Sequence, residues 1–187
     1  GELAIVVFLA TLFHGLVVLP LIAWIFGGVR PGQLFTKIVQ PLITALSTSS
    51  SAATLPVSMA TAQDKFKVTP EISSVVLPLG ATVNMDGTAL FEGVAAVFLA
   101  QMFGIPLDPI TITTIFLVAM MASIGAPGIP SGSMAGMQLV LLSIGIPLEA
   151  IALLLIIERP LDTFRTAVNV EGDLVGCIFV SKKAQST

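Results

Sequence analysis

Charge is scarce in this sequence: 10% of its 187 residues are Asp, Glu, Lys or Arg, against 55% that are hydrophobic. A soluble domain carries about 25% charge, so this is the composition of a membrane protein. The single cysteine, Cys177, excludes a disulfide within the chain and any cysteine-based metal cluster. The single histidine, His14, removes most Ser/His/Asp and histidine–metal schemes and reads as a polar group inside a helix bundle. No GxSxG nucleophile motif is present, so the chain does not read as an enzyme, and nothing in it points to nucleic acid. No initiating Met, signal peptide or tag is visible. Gly1 and Glu2 run straight into an apolar stretch, as though cut from a longer protein.

Apolar runs, by contrast, fill most of the chain. Residues 1–28 read as a transmembrane helix closed by Gly27, Gly28 and the Arg30-Pro31-Gly32 turn. Residues 33–63 are too short for two crossings and are broken at the centre by SSSAATLP, which suggests a re-entrant hairpin. Residues 71–104 are long enough to cross but are interrupted by GATVNMDGT, an unwound helix. Residues 109–146 repeat the hairpin plan around the tip GAPGIPSGS, and 148–181 form the last helix. The plan of hairpin followed by polar-interrupted span therefore occurs twice, in opposite directions. An inverted repeat with broken helices is the mark of secondary transporters. Arg30, Lys37, Lys65, Lys67, Lys182 and Lys183 fall on one expected side, with Glu2, Asp108 and Glu149 on the other. The basic side is then cytoplasmic.

The polar chemistry concentrates in ERPLDTFRTAVNVEGD, Glu158 to Asp173, inside the last oily segment. At about 100° per residue, Glu158, Arg165, Asn169, Asp162, Asp173 and Thr166 fall within an arc of roughly 100°, while Glu171 lies opposite. Each charge at mid-bilayer costs roughly 2.5 to 3.5 kcal/mol, so such a stripe faces a bundle interior and marks a pathway. Arg165 offers a planar fork that grips a carboxylate with two parallel bonds. Asp162 could take the ammonium of a zwitterion, or it could simply neutralise Arg165. Glu158 and Arg159 read as neutralising each other, and Pro160 as a place where the helix starts afresh or kinks.

Asp86 and Asp173 have no basic partner in their own segments, and a buried carboxylate needs a cation or a proton. With Asn84, Asn169 and carbonyls near Gly80 and Thr82 they make an all-oxygen set suited to a hard ion, and two separated carboxylates favour a monovalent one. Glu92, among apolar residues in FEGVAAVF, is the candidate proton carrier, with solvation in a lumen as the ordinary alternative. The serine tip Ser49 to Ser51 and the tip Gly125 to Ser133 could present helix N-termini to an anionic ligand.

SSSAATLP, LPLGATVNMDGTAL, ASIGAPGIPSG and DTFRTAVNVEGD, in this order and spacing, resemble the glutamate/aspartate sodium symporter family, the dicarboxylate/amino acid:cation symporters. The resemblance covers essentially the whole chain and is to the carboxy-terminal, transport-domain half. It implies an all-α membrane protein, multi-pass in the plasma membrane (the inner membrane of a bacterium), working as an elevator. The amino-terminal scaffold helices that make the family's homotrimer would be missing, as would one further helix of the moving domain.

Carried over by motif, the resemblance implies that Arg165 binds the side-chain carboxylate of an acidic amino acid and Asp162 its amino group. Thr166, Asn169, Thr88, Ser50, Ser51, Ile129, Ser131 and Gly132 would complete the pocket. One Na+ would take Gly80, Asn84, Asn169 and Asp173. A second would take carbonyls near Thr82, Met85, Ser123, Ile124 and Ala126, and a third Asn84 and Asp86 with groups from the missing helix. Ser49 and Thr163 stand where relatives carry a second arginine. Glu92 matches an acid linked to H+ coupling. The reading is a Na+-coupled symporter of glutamate or aspartate in a lipid bilayer. The alternatives are a proton-coupled glutamate or C4-dicarboxylate carrier and, from another class, an ion channel, which Arg165 argues against by repelling cations.

Overall fold

The computed structural model describes residues 1–185. Among the described residues the protein is all-helical. Helix α1, Glu2–Gly27, is long and apolar enough to cross a membrane, and so is the stretch Pro70–Met102. Within α1 the turns His14–Val18 and Ala23–Gly27 are π-helical. Pro20 sits between them. Lacking an N–H and crowding the preceding turn, it disfavours a regular α ladder there. Gly28 ends α1 with a left-handed φ of 74°.

Helices α2 (Pro31–Thr48) and α3 (Ser51–Phe66) form the first hairpin. Pro31 opens α2 at its first position, where no N–H is needed. At the tip Ser49 takes φ 49°, and Ser50 caps α3 by accepting from the Ala53 N–H at 3.1 Å. Helix α4 (Pro70–Val83) stops at Asn84, and α5 (Asp86–Met102) starts just beyond Met85. Asn84 and Met85, with φ/ψ of −103°/64° and −101°/55°, are the break. Asp86 then sits in the first turn of α5, where the helix dipole favours an anion.

The second hairpin joins α6 (Pro109–Ile124) to α7 (Ser133–Ser143). Its tip runs from Gly125 to Gly132 and includes Ser131 at φ 61°. After the 3₁₀ turn Leu148–Ala150 comes α8, Ile151–Gln185. The expected fresh start at Pro160 does not occur: the helix runs unbroken through it, with Pro160 exposed. The break is confined to the first repeat, at Asn84 and Met85.

Three apolar clusters hold the fold among the described residues, and α8 threads two of them. One joins Leu34 and Ile38 of α2 and Leu77 of α4 to Leu174 and Ile178 of α8. The other joins Val7 of α1, Phe91 and Leu99 of α5, and Met137 and Leu141 of α7 to Leu154 and Leu161 of α8. Between them, Arg165, Thr166, Asn169, Glu171 and Asp173 are buried. The outside is apolar, with Ile110 77%, Met121 73% and Ile156 82% exposed. Polar inside and apolar outside is the arrangement for a hydrocarbon solvent.

Candidate functional site

The centre is the Arg165 guanidinium, fully buried in α8 and lying 4.2 Å over the Phe91 ring of α5. Its Nη2 donates to Asp162 Oδ1 at 2.7 Å, to Glu158 Oε1 at 3.1 Å and to Ser133 Oγ at 2.8 Å. Nε and Nη1 are buried with no hydrogen-bond partner among the described residues. An orphaned guanidinium donor in a dry interior is costly, and among the described residues the fork is incomplete.

Glu158 does not neutralise Arg159, contrary to the expectation. It reaches Arg165, while Arg159 is exposed. Residues seven apart share a helix face, whereas neighbours point about 100° apart.

Both tips converge on this centre. The Ser131 N–H donates to Asp162 Oδ2 at 2.9 Å, and its hydroxyl to Glu158 Oε2 at 2.9 Å. The Gly128 carbonyl accepts from Ser50 Oγ at 2.7 Å and from the Ala52 N–H at 3.1 Å. Ser49 Oγ meets Thr163 Oγ1 at 3.0 Å. Between the tips lies a cavity bordered by Ser51, Thr88, Ile129, Gly132, Asp162, Thr166 and Asn169. At about 10 Å³ it has room for a single water at most. An amino acid can enter only if a tip moves.

On the far side of the break, a groove of about 630 Å³ is bordered by His14, Asn84, Met85, Asp86, Ser123 and Ile124 among apolar residues. Met85 borders the small cavity as well. Asn84 Nδ2 donates to Asp173 Oδ1 at 3.1 Å, and Asp173 packs against Gly80, where a Cβ would come within 2.6 Å of Oδ1. Asn169 accepts from the Gly87 N–H at 2.8 Å and donates to Thr88 Oγ1 at 3.1 Å and Met85 Sδ at 3.3 Å. Gly80, Asn84 and Asp173 are thus together, while Asn169 reaches the break through Gly87 and Met85. Thr82 is exposed, its hydroxyl bonded to the Leu79 carbonyl, and Ala126 is buried in the second tip. Among the described residues no group of three or more His, Cys, Asp and Glu side chains converges. Isolated carboxylates among amides and carbonyls suit a monovalent hard ion better than a transition metal. Glu92 is completely buried with no partner on either carboxyl oxygen among the described residues, and it is pressed against Gly136 of α7.

Sequence reasoning missed Ser133 and Phe91 as contacts of Arg165, and His14 as a contact of Asp86. Ser133 lies in a tip already singled out. The other two are cross-helix contacts with no spacing signal.

Residues 1–183 match the model of the sodium:dicarboxylate symporter family. The chain belongs to that family. Within it, the chain is 45% identical over 186 residues to excitatory amino acid transporter 2 of Mus musculus, a match covering 100% of the chain and 32% of the relative. It is 47% identical over 169 residues to excitatory amino acid transporter 3 of Mus musculus, covering 90% of the chain and 32% of the relative. Neutral amino acid transporter B(0) of Rattus norvegicus is 45% identical over 176 residues, covering 94% of the chain and 32% of that relative. The chain thus spans about a third of the length of these curated symporter-family relatives. The family and these relatives are membrane transporters rather than enzymes, in keeping with the apolar exterior.

Proposed function

We propose that residues 1–187 belong to a Na+-coupled symporter of acidic amino acids, acting by elevator-type alternating access in the plasma membrane and assembled as a homotrimer through helices outside this stretch. The observation that carries the reading is the incomplete fork of Arg165. Its Nε and Nη1 offer two donors, and Asp162 stands beside them on the same helix face. A carboxylate can pair with either of them in parallel with Nη2, once Nη2 gives up a partner it now holds. The substrate's ammonium replaces the Ser131 N–H on Asp162. The relatives are named as transporters of excitatory or neutral amino acids, and a guanidinium with two unpartnered nitrogens favours the acidic class.

Coupling follows from the break. Asn84 and Asp86 face the groove, Thr88 faces the small cavity, and Met85 borders both. Na+ held at Asn84 with Asp173, and a further Na+ at Asn84 with Asp86, order the same short segment that shapes the substrate pocket, so each ligand favours the conformation the other binds. The second tip is the outer gate.

Calorimetric titration of the full-length protein with L-aspartate in detergent, in Na+ and then in choline, tests this. Binding is expected only in Na+ and is expected to weaken at least 100-fold in Arg165→Ala, in line with about 3 kcal/mol for a truncated buried charge pair. Binding indifferent to Na+ would sink the symporter reading. A second reading, H+ coupling through Glu92, is favoured by its two unpartnered oxygens. It expects Glu92→Gln to abolish the pH dependence of uptake between pH 5.5 and 8. A Glu92→Gln variant that kept the wild-type pH profile would remove it.

A further inference from the structure

His14 belongs to α1, far in sequence from every ion-ligand candidate, yet its Nε2 lies 2.6 Å from Asp86 Oδ2. An ionised carboxylate can only accept, so the Nε2–H donates. The other oxygen, Oδ1, accepts from the Gly87 N–H at 3.0 Å. Both oxygens are therefore held, one by the backbone of its own helix and one by an imidazole from another, and the plane of the carboxylate is set. Of its four or so lone-pair sites, about two remain. A third restraint is steric. Gly172 of α8 leaves room for this group, since a Cβ there would come 3.2 and 3.3 Å from the two oxygens and 2.8 Å from Asn84 Nδ2.

The local structure of α1 bears on this contact. His14 opens the π-helical turn, and its carbonyl accepts from the Leu19 N–H five residues on, just before Pro20. A π turn inserts one residue into the helix and rotates what precedes it, and such turns recur at functional sites. The side chains of His14 and Asp86 remain 23% and 24% exposed.

We propose that His14 is a positioning residue for cation binding at Asp86: its Nε2–H holds the carboxylate so that the free lone pairs point at a Na+ shared with Asn84. This rests on the symporter reading. A partner that orients a metal ligand from behind typically affects affinity about 10- to 100-fold. For a weakly held monovalent ion the lower end is expected.

The test is a Na+ titration of L-aspartate binding to the full-length protein, comparing wild type with His14→Gln, His14→Asn and His14→Leu. Gln carries an N–H donor at about the reach of Nε2, Asn carries the same chemistry too short, and Leu carries none. Half-saturating Na+ is expected to rise about 10-fold in His14→Asn and His14→Leu and to stay within about 3-fold of wild type in His14→Gln. Aspartate affinity at saturating Na+ is expected to be unchanged in all three. If His14→Leu does not fold, the Gln and Asn pair decides. Equal Na+ affinity in Gln and Asn variants would overturn the inference, as would tighter Na+ binding in either, since an imidazole that competes with the ion is not positioning its ligand. Wild-type binding without Na+ dependence would instead overturn the symporter reading on which it stands.

Discussion

The two hairpins share a plan and differ in what holds their tips. The first is tied to itself as well as outward: Ser49 makes the tight left-handed turn and meets Thr163, and Ser50 caps its own following helix through the Ala53 N–H while bonding to the Gly128 carbonyl. The second has no such cap, and α7 starts without a side-chain bond to its N-terminus. Its tip contains Gly125, Gly128 and Gly132 with Pro127 and Pro130, and it is held from outside by Asp162, Glu158 and Ser50. A tip closed by its own bonds stays shut when a ligand arrives. A tip held only from outside is released when its outside partners let go. In the structure, the helix after the first tip keeps the Ser50 cap, whereas the helix after the second starts uncapped.

The sharpest way to break this comparison is to remove the external anchor. Asp162→Ala deletes a charge-assisted bond of about 1.5 to 3 kcal/mol, so amide exchange at Ser131 is expected to speed up about 10- to 100-fold while Ala53, bonded within its own tip, keeps its rate. Equal acceleration at both tips would mean that the hairpins open together. A smaller, shared effect is expected from Ser50→Ala, which removes the cap of α3 at about 1 kcal/mol and the bond to the Gly128 carbonyl at about 1 kcal/mol. Both tips should then exchange about 5-fold faster, and an effect confined to the second tip would show that the Ala53 cap is idle.

The smallest effect belongs at the base of the second hairpin. There Asp108 caps α6 by accepting from the Thr111 N–H at 2.7 Å. That bond holds its carboxyl below the usual aspartate range. A lowered value means that the stabilisation is fully present above the unfolded value of about 3.9 and is lost as the pH falls through the folded one. Asp108→Ala should therefore lower the midpoint of thermal unfolding slightly at pH 7, and the gap from wild type should close on acidification. A gap that is constant with pH would assign the loss to packing.

Much of this was legible along the chain. The serine run and the Gly/Pro run mark two places where a helix cannot continue, and NMDG marks the break. The 158–173 stripe brings Arg165, Asp162 and Asn169 to one face because helical spacing is a local property. The Glu158 to Arg165 pairing was legible too, since seven residues make two turns. Reading Glu158 with its neighbour Arg159 overlooked that adjacent side chains diverge. Pro160 marked a fresh start that the chain does not make, since α8 runs unbroken through it.

Sequence alone sufficed for the class of protein, the hairpin order, the helix break and the polar face of α8. Each of these follows from solvent preference and from backbone rules acting over a few residues. It could not supply the contacts that complete the site: Phe91 beneath Arg165, Ser131 on Asp162 and Glu158, and His14 on Asp86. These join residues on different helices, and their existence depends on how the helices rotate and slide until the apolar clusters are filled. Periodicity says which face of a helix is polar. Only packing says which face it meets.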